Sequence, residues 1–120
     1  MYWTQILVLA AIVVVFVLIK KAGQISADAA REHLKGGAKV IDVRSPGEYK
    51  SGHLAKAVNI PLDRIDSAIA EYEPDKTRPL LLHCQSGTRS AMAAGKLKRF
   101  GYTKACNLGS YSRAARIVGG

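Results

Sequence analysis

Hydrophobic and polar positions divide this chain at Lys20. Before it, Tyr2–Ile19 is almost wholly apolar and holds no Asp, Glu, Lys or Arg; after it, apolar residues come in short blocks between polar ones. At 1.5 Å per residue a helix over 2–19 is about 27 Å long, close to the hydrocarbon thickness of a bilayer. Tyr2 and Trp3 suit the headgroup interface at its end. A signal peptide would need a basic first segment, which is absent. A buried soluble helix of this uniformity would need a larger core than the chain offers. The pattern therefore predicts a transmembrane anchor over 1–21 that meets the membrane through 2–19, a linker over 22–24 and one domain over 25–120. Lys20 and Lys21 follow the apolar run directly. By the positive-inside tendency they place a single-pass protein in the cell inner membrane with its domain in the cytoplasm. With no ionisable group in the run, it reads as an anchor and not as a conduction path.

Beyond residue 24 the blocks alternate between strand and helix character. Ser26 precedes a helical stretch through Leu34 that stops at Gly36-Gly37. Ala38–Val43 reads as a buried strand, Ser45–Tyr49 as a helical turn and Ala57–Ile60 as a second strand ended by Pro61. Leu62–Ile69 carries apolar residues at helical spacing, and Pro79–His83 is the central strand. Ser90–Phe100 is a helix with Met92, Ala93, Leu97 and Phe100 as its inward positions; Lys104–Leu108 is a last strand and Ser110–Val118 a last helix. Alternation of this kind implies an α/β fold, a mostly parallel sheet with helices on both faces.

Charge and cysteine content narrow the function. The net charge is +9, all of it after residue 19. Such a surface favours anionic lipid or anionic substrates, or is simply solvated. No basic patch interleaved with aromatics supports nucleic acid as a partner. Cys84 and Cys106 are the two cysteines, too few for a disulfide scaffold, and neither has metal-ligand spacing with His33, His53 or His83. Neither a metal nor an organic cofactor is called for.

The chemistry concentrates at Cys84-Gln85-Ser86-Gly87-Thr88-Arg89, between the strand Leu80–Leu82 and the following helix. A strand that ends in a cysteine and turns through small polar residues into a helix converges backbone N–H groups on one point. A thiol held there is pushed toward the reactive thiolate. Cys84 is accordingly the candidate nucleophile, and Gln85, Ser86, Gly87, Thr88 and Arg89 are the candidate cradle. His83 is adjacent in a strand and points to the opposite face, so no Cys/His pair activates the thiol.

Val40-Ile41-Asp42-Val43-Arg44, Glu48-Tyr49, Gly52-His53-Leu54, Ala57–Pro61 and Cys84-x-x-Gly87-x-Arg89-Ser90 occur in one order and spacing. Through them residues 25 to about 118 resemble the rhodanese-homology domain. The resemblance implies a single α/β domain and a thiosulfate sulfurtransferase-type enzyme that moves sulfane sulfur through a Cys84 persulfide. Its partners would be a small sulfur donor such as thiosulfate and a cyanide, thiol or protein acceptor. Four residues separate Cys84 from Arg89. The resemblance assigns five to phosphatase members, so the shorter ring favours sulfur over phosphate or arsenate. Asp42, Arg44 and Glu48 are expected to support the loop base, and His53 to be part of the scaffold. Arg89 either binds the anionic donor or pairs a carboxylate. Cys106 is expected in the core, with a resolving thiol as the alternative. Two features depart from the family: Gln85 is neutral where a basic residue is common, and Asn107–Tyr111 replaces a Gly-Gly and later Trp, with Tyr111 the candidate substitute. A sulfur-carrier or docking module at the membrane, with little turnover of its own, is the rival expectation.

Overall fold

The computed structural model describes residues 2–119, without the side chains of 19–22. Helix α1 runs Tyr2–Ala22 and α2 runs Ala27–Lys35; strand β1 is Lys39–Asp42, followed by α3, Pro46–Lys50. Then come β2 (Ala57–Asn59), a 3₁₀ turn (Leu62–Arg64), α4 (Ile65–Tyr72) and β3 (Leu80–His83). The chain closes with α5 (Thr88–Arg99), β4 (Ala105–Gly109) and α6 (Tyr111–Val118). The four strands pair in parallel in the order β2-β1-β3-β4. Parallel neighbours require crossovers, and the alternating helices supply them.

β3 is buried along its whole length, which suits a central strand covered on both faces. Ile41, Leu80 and Leu82 face α4 and α5, where Ile65, Ile69, Ala93 and Leu97 pack on them. Val40 and Leu81 face α2 and α6 and meet Ala30, Leu108, Ala114 and Ile117. Ser26, Ser45 and Ser110 cap α2, α3 and α6 by accepting from the backbone three residues on. Glu48 returns the bond to the Ser45 N–H, completing a capping box. Gln24 already lies beside β4, opposite Asn107.

Three expectations are corrected. Among the described residues no helix is long and apolar enough to cross a membrane. The transmembrane helix is therefore not carried over, and Lys20 and Lys21, on which the topology rested, have side chains outside the described residues. Second, Met92 and Phe100 are exposed, because the inward stripe of α5 is Ser90, Ala93, Ala94 and Leu97. Met92 falls between those turns, and Phe100 lies past the last one as the cap residue. Third, Leu62–Ile69 is not one helix: it begins as a 3₁₀ turn and becomes α-helical at Ile65.

Candidate active site

Cys84 directly follows β3, at the carboxyl end of the sheet. Gly87 takes φ 97°, a left-handed conformation that disfavours any residue with a Cβ, and caps α5. That turn brings the Gly87 N–H to 2.9 Å from Cys84 Sγ. The Ser86 and Ser90 N–H groups also donate to the sulfur, and the Ser90 hydroxyl lies 3.6 Å from it. Burial raises the thiol, and the four hydrogen bonds to its anion, the Ser90 hydroxyl first, outweigh burial and bring it below its ordinary value. The first turn of α5 holds no acidic residue to offset the helix dipole. Cys84 is fully buried, so donor and acceptor must reach it through the loop.

The remaining loop residues divide by exposure. Gly87 is buried, whereas Gln85, Ser86 and Thr88 are exposed. Ser86 lies opposite Ser110, and the Tyr111 N–H donates to the Gln85 carbonyl at 3.2 Å, which stitches the loop to the β4–α6 junction. Arg89 directs its guanidinium to Glu48 of α3, with contacts of 2.6 and 3.0 Å. The Arg89 bond, then the Ser45 backbone bond, hold the Glu48 carboxyl down at about 2.

Arg44 forks onto Asp42, with Nε 3.0 Å from both carboxylate oxygens and Nη2 2.8 Å from Oδ2. It also donates to the Gly52 carbonyl at 2.7 Å and reaches Gln85 Oε1 at 3.4 Å. Its guanidinium stacks 4.7 Å from the centre of the Tyr111 ring. His83 sits beneath this group with Nε2 3.7 Å from Asp42, and burial pushes its pKa down, toward the neutral form. His53 stacks on Tyr49 at 3.7 Å, and its Nδ1 lies 2.8 Å from the Tyr49 carbonyl. Cys106 packs against the α2–α6 cluster, while Cys84 belongs to the other one, and burial pushes the Cys106 thiol up. Among the described residues no cluster of His, Cys, Asp and Glu could hold a metal ion.

Sequence reasoning counted Ser90 in the motif but gave it no role, and it passed over Asn107 at the sulfur altogether. Asn107 lies on β4, seventeen positions from Ser90, whose hydroxyl donates to it at 2.7 Å. Nothing in local spacing shows that pairing; a polar residue in an otherwise apolar strand was the only signal. Beside the loop lies a groove of about 480 Å³ whose walls include Val43, Pro61, Leu62, Arg89 and Lys96.

A parallel sheet that ends in a buried cysteine with backbone N–H groups turned toward its sulfur defines a site suited to a thiolate. The chain belongs to the rhodanese-like domain family, whose model matches residues 26–114. It is 39% identical over 69 residues to the thiosulfate sulfurtransferase PspE of Escherichia coli, a match covering 58% of this chain and 66% of that protein. It is 42% identical over 71 residues to Bacillus subtilis YqhL, covering 59% of this chain and 55% of the relative. The chain thus spans between half and two thirds of these relatives. The structure of the human single-domain sulfurtransferase TSTD1 superposes with a TM-score of 0.67 at 29% identity, covering 78% of this chain and 96% of the human one.

Proposed function

We propose that the chain is a rhodanese-type sulfurtransferase that carries sulfane sulfur on Cys84. The observation behind this reading is the Gly87 N–H at 2.9 Å from Sγ within a ring of further donors. The Cys84 thiolate attacks the outer sulfur of a donor such as thiosulfate; the new S–S bond forms as the donor's own breaks, and sulfite leaves with the electron pair. The resulting Cys84-S-S⁻ is an anion, and donors already in place stabilise it without reorganisation. Cyanide, a small thiolate or a protein thiolate then takes the terminal sulfur and regenerates the Cys84 thiolate. The likeness to the thiosulfate sulfurtransferase PspE and the four-residue spacing to Arg89 support this chemistry. Incubation with thiosulfate alone is expected to leave a +32 Da adduct on Cys84, the mass of one sulfur, and addition of cyanide to release thiocyanate. Absence of both, with polysulfide and persulfide donors also tried, overturns the reading.

A carrier role with little turnover alone is the second reading, favoured by the fully buried sulfur and the neutral Gln85. Stoichiometric loading of Cys84 with discharge only to a partner protein would distinguish it from the enzyme.

For location, the exposed apolar side chains of α1, from Tyr2 to Leu18, support attachment to the cytoplasmic face of the inner membrane. Lys20 and Lys21 follow them and would meet the anionic lipid of the cytoplasmic leaflet. Membrane-fraction material should resist carbonate washing and yield to detergent, and protease should reach the domain only in lysed cells. Recovery in the soluble fraction would defeat the assignment.

A further inference from the structure

The Ser90 hydroxyl has one hydrogen and four acceptors within reach. Asn107 Oδ1 is nearest at 2.7 Å, followed by the Gly87 carbonyl at 3.1 Å, the Gly109 carbonyl at 3.4 Å and Cys84 Sγ at 3.6 Å. Both side chains are buried, Ser90 completely and Asn107 to within 1%. Asn107 Oδ1 also accepts from the Gly109 N–H at 3.0 Å, and its Nδ2 donates to the Gly87 carbonyl at 3.3 Å. One side chain of β4 thus touches both the hydroxyl that faces the sulfur and the carbonyl of the glycine whose N–H points at it.

We propose that Asn107 is a positioning residue for the Cys84 anion: it keeps the Ser90 hydroxyl beside the sulfur, from where it turns to the anion, and it holds Gly87 so that the N–H stays aimed at Sγ. As a role in sulfur transfer this rests on the function proposed above. In the thiol state the S–H donates toward Ser90 Oγ, whose own hydrogen points to Asn107. In the thiolate or persulfide state the hydroxyl turns to the sulfur. Asn107 Oδ1 keeps the Gly109 N–H throughout, so the turn strands no buried acceptor. No proton passes between residues in that turn. The lowered Cys84 thiol agrees with this arrangement. At this end of the sheet stand Arg89 with Glu48 from α5 and α3, Asp42 from β1 with Arg44 just after it, His83 from β3 and Tyr111 from α6. None of them hydrogen-bonds Asn107 directly.

The test is the pH dependence of iodoacetamide alkylation of the Cys84 peptide, read by mass in the full chain so that Cys106 does not interfere. Asn107→Val keeps a strand-compatible shape, and the Gly87 carbonyl at 3.1 Å can take the Ser90 hydrogen in its place while the sulfur is a thiol. What is lost is the aim of Ser90 and Gly87 at the anion, so the thiol pKa is expected to rise by about one unit, slowing alkylation below that pKa about tenfold. Ser90→Ala is expected to act in the same direction. The double variant should fall short of the sum, because the two residues act through one hydroxyl. Asn107→Ser, which lacks the amide N–H, covers a failure of the valine variant to fold and should give a smaller rise. An unmoved thiol pKa in either folded Asn107 variant, or strict additivity with Ser90→Ala, overturns the inference. Alkylation needs no sulfur donor. A shifted thiol in a chain that never forms a persulfide would therefore defeat sulfur transfer and leave the role of Asn107 intact.

Discussion

The two ends of the sheet carry the same kinds of charged groups and use them differently. At the end opposite the loop, Glu73 is buried, with Lys39 Nζ 3.1 Å away, Arg78 against the same oxygen and the Asp75 N–H at 3.2 Å. Burial raises the Glu73 carboxyl, and the Lys39 and Asp75 bonds with the nearby cations outweigh it, so the carboxyl sits below its ordinary value. At the loop end, Glu48 is also lowered, by Arg89 first. Electrostatic perturbation is thus common to both ends and marks neither as a site. What differs, among the described residues, is that the loop end aims several N–H donors at one buried thiol. Convergence of donors on an atom that becomes charged is what separates a reactive site from a structural ion pair.

That comparison can be broken at four places. Cys84→Ala removes the sulfur-carrying atom and is expected to abolish thiocyanate release, a loss of at least ~10³-fold on the scale of a missing covalent nucleophile, while the melting transition persists; residual turnover would place the chemistry elsewhere. Leu81 is fully buried in the sheet's centre, between the two ends. Leu81→Ala should cost about 2–5 kcal/mol in urea denaturation, and a cost under about 1 kcal/mol would contradict the packed core described.

Glu73→Gln leaves Lys39 and Arg78 without their shared charge, though both are about one third exposed and can regain water. A loss of about 1–3 kcal/mol is expected, with Cys84 alkylation unchanged; a change in alkylation would show that the two ends are coupled. Glu48→Gln is the smallest. The Glu48–Arg89 pair is 36% exposed on each side, so solvent screening limits it to under about 1 kcal/mol. Its sign follows from a folded pKa of about 2 against an ordinary value of 4.5. The contribution is fully present above about pH 4.5 and fades as pH falls toward 2. Urea midpoints of the two proteins should therefore converge in acid; a gap that persists undiminished at pH 3 would remove Glu48 as its source.

Much of this fold is legible along the chain because its signals are local. Ser26, Ser45 and Ser110 cap helices three residues on, Pro61 follows the β2 edge, and β3 is an apolar run bounded by Pro79 and a polar turn. The cradle is legible for the same reason, since Gly87 and the α5 start lie within a few residues of Cys84. Met92 and Phe100 were misread because apolar character alone does not say which side of a helix faces the sheet. The role of Arg89 stayed open, because its partner Glu48 lies 41 positions away.

The sequence alone determined the order of elements, the candidate nucleophile and the loop that surrounds it, since each depends on contacts within one turn. It also marked α1 as uniformly apolar, while the span it suggested is not found among the described residues. Only the tertiary structure decided how the thiol is held. β4 runs parallel to β3, and that register sets Asn107 beside Ser90, the Gly109 carbonyl on the Cys84 N–H, and Tyr111 on Arg44. Those contacts join segments that meet only when the sheet closes, because loop-closure entropy must be overcome by packing before they can form.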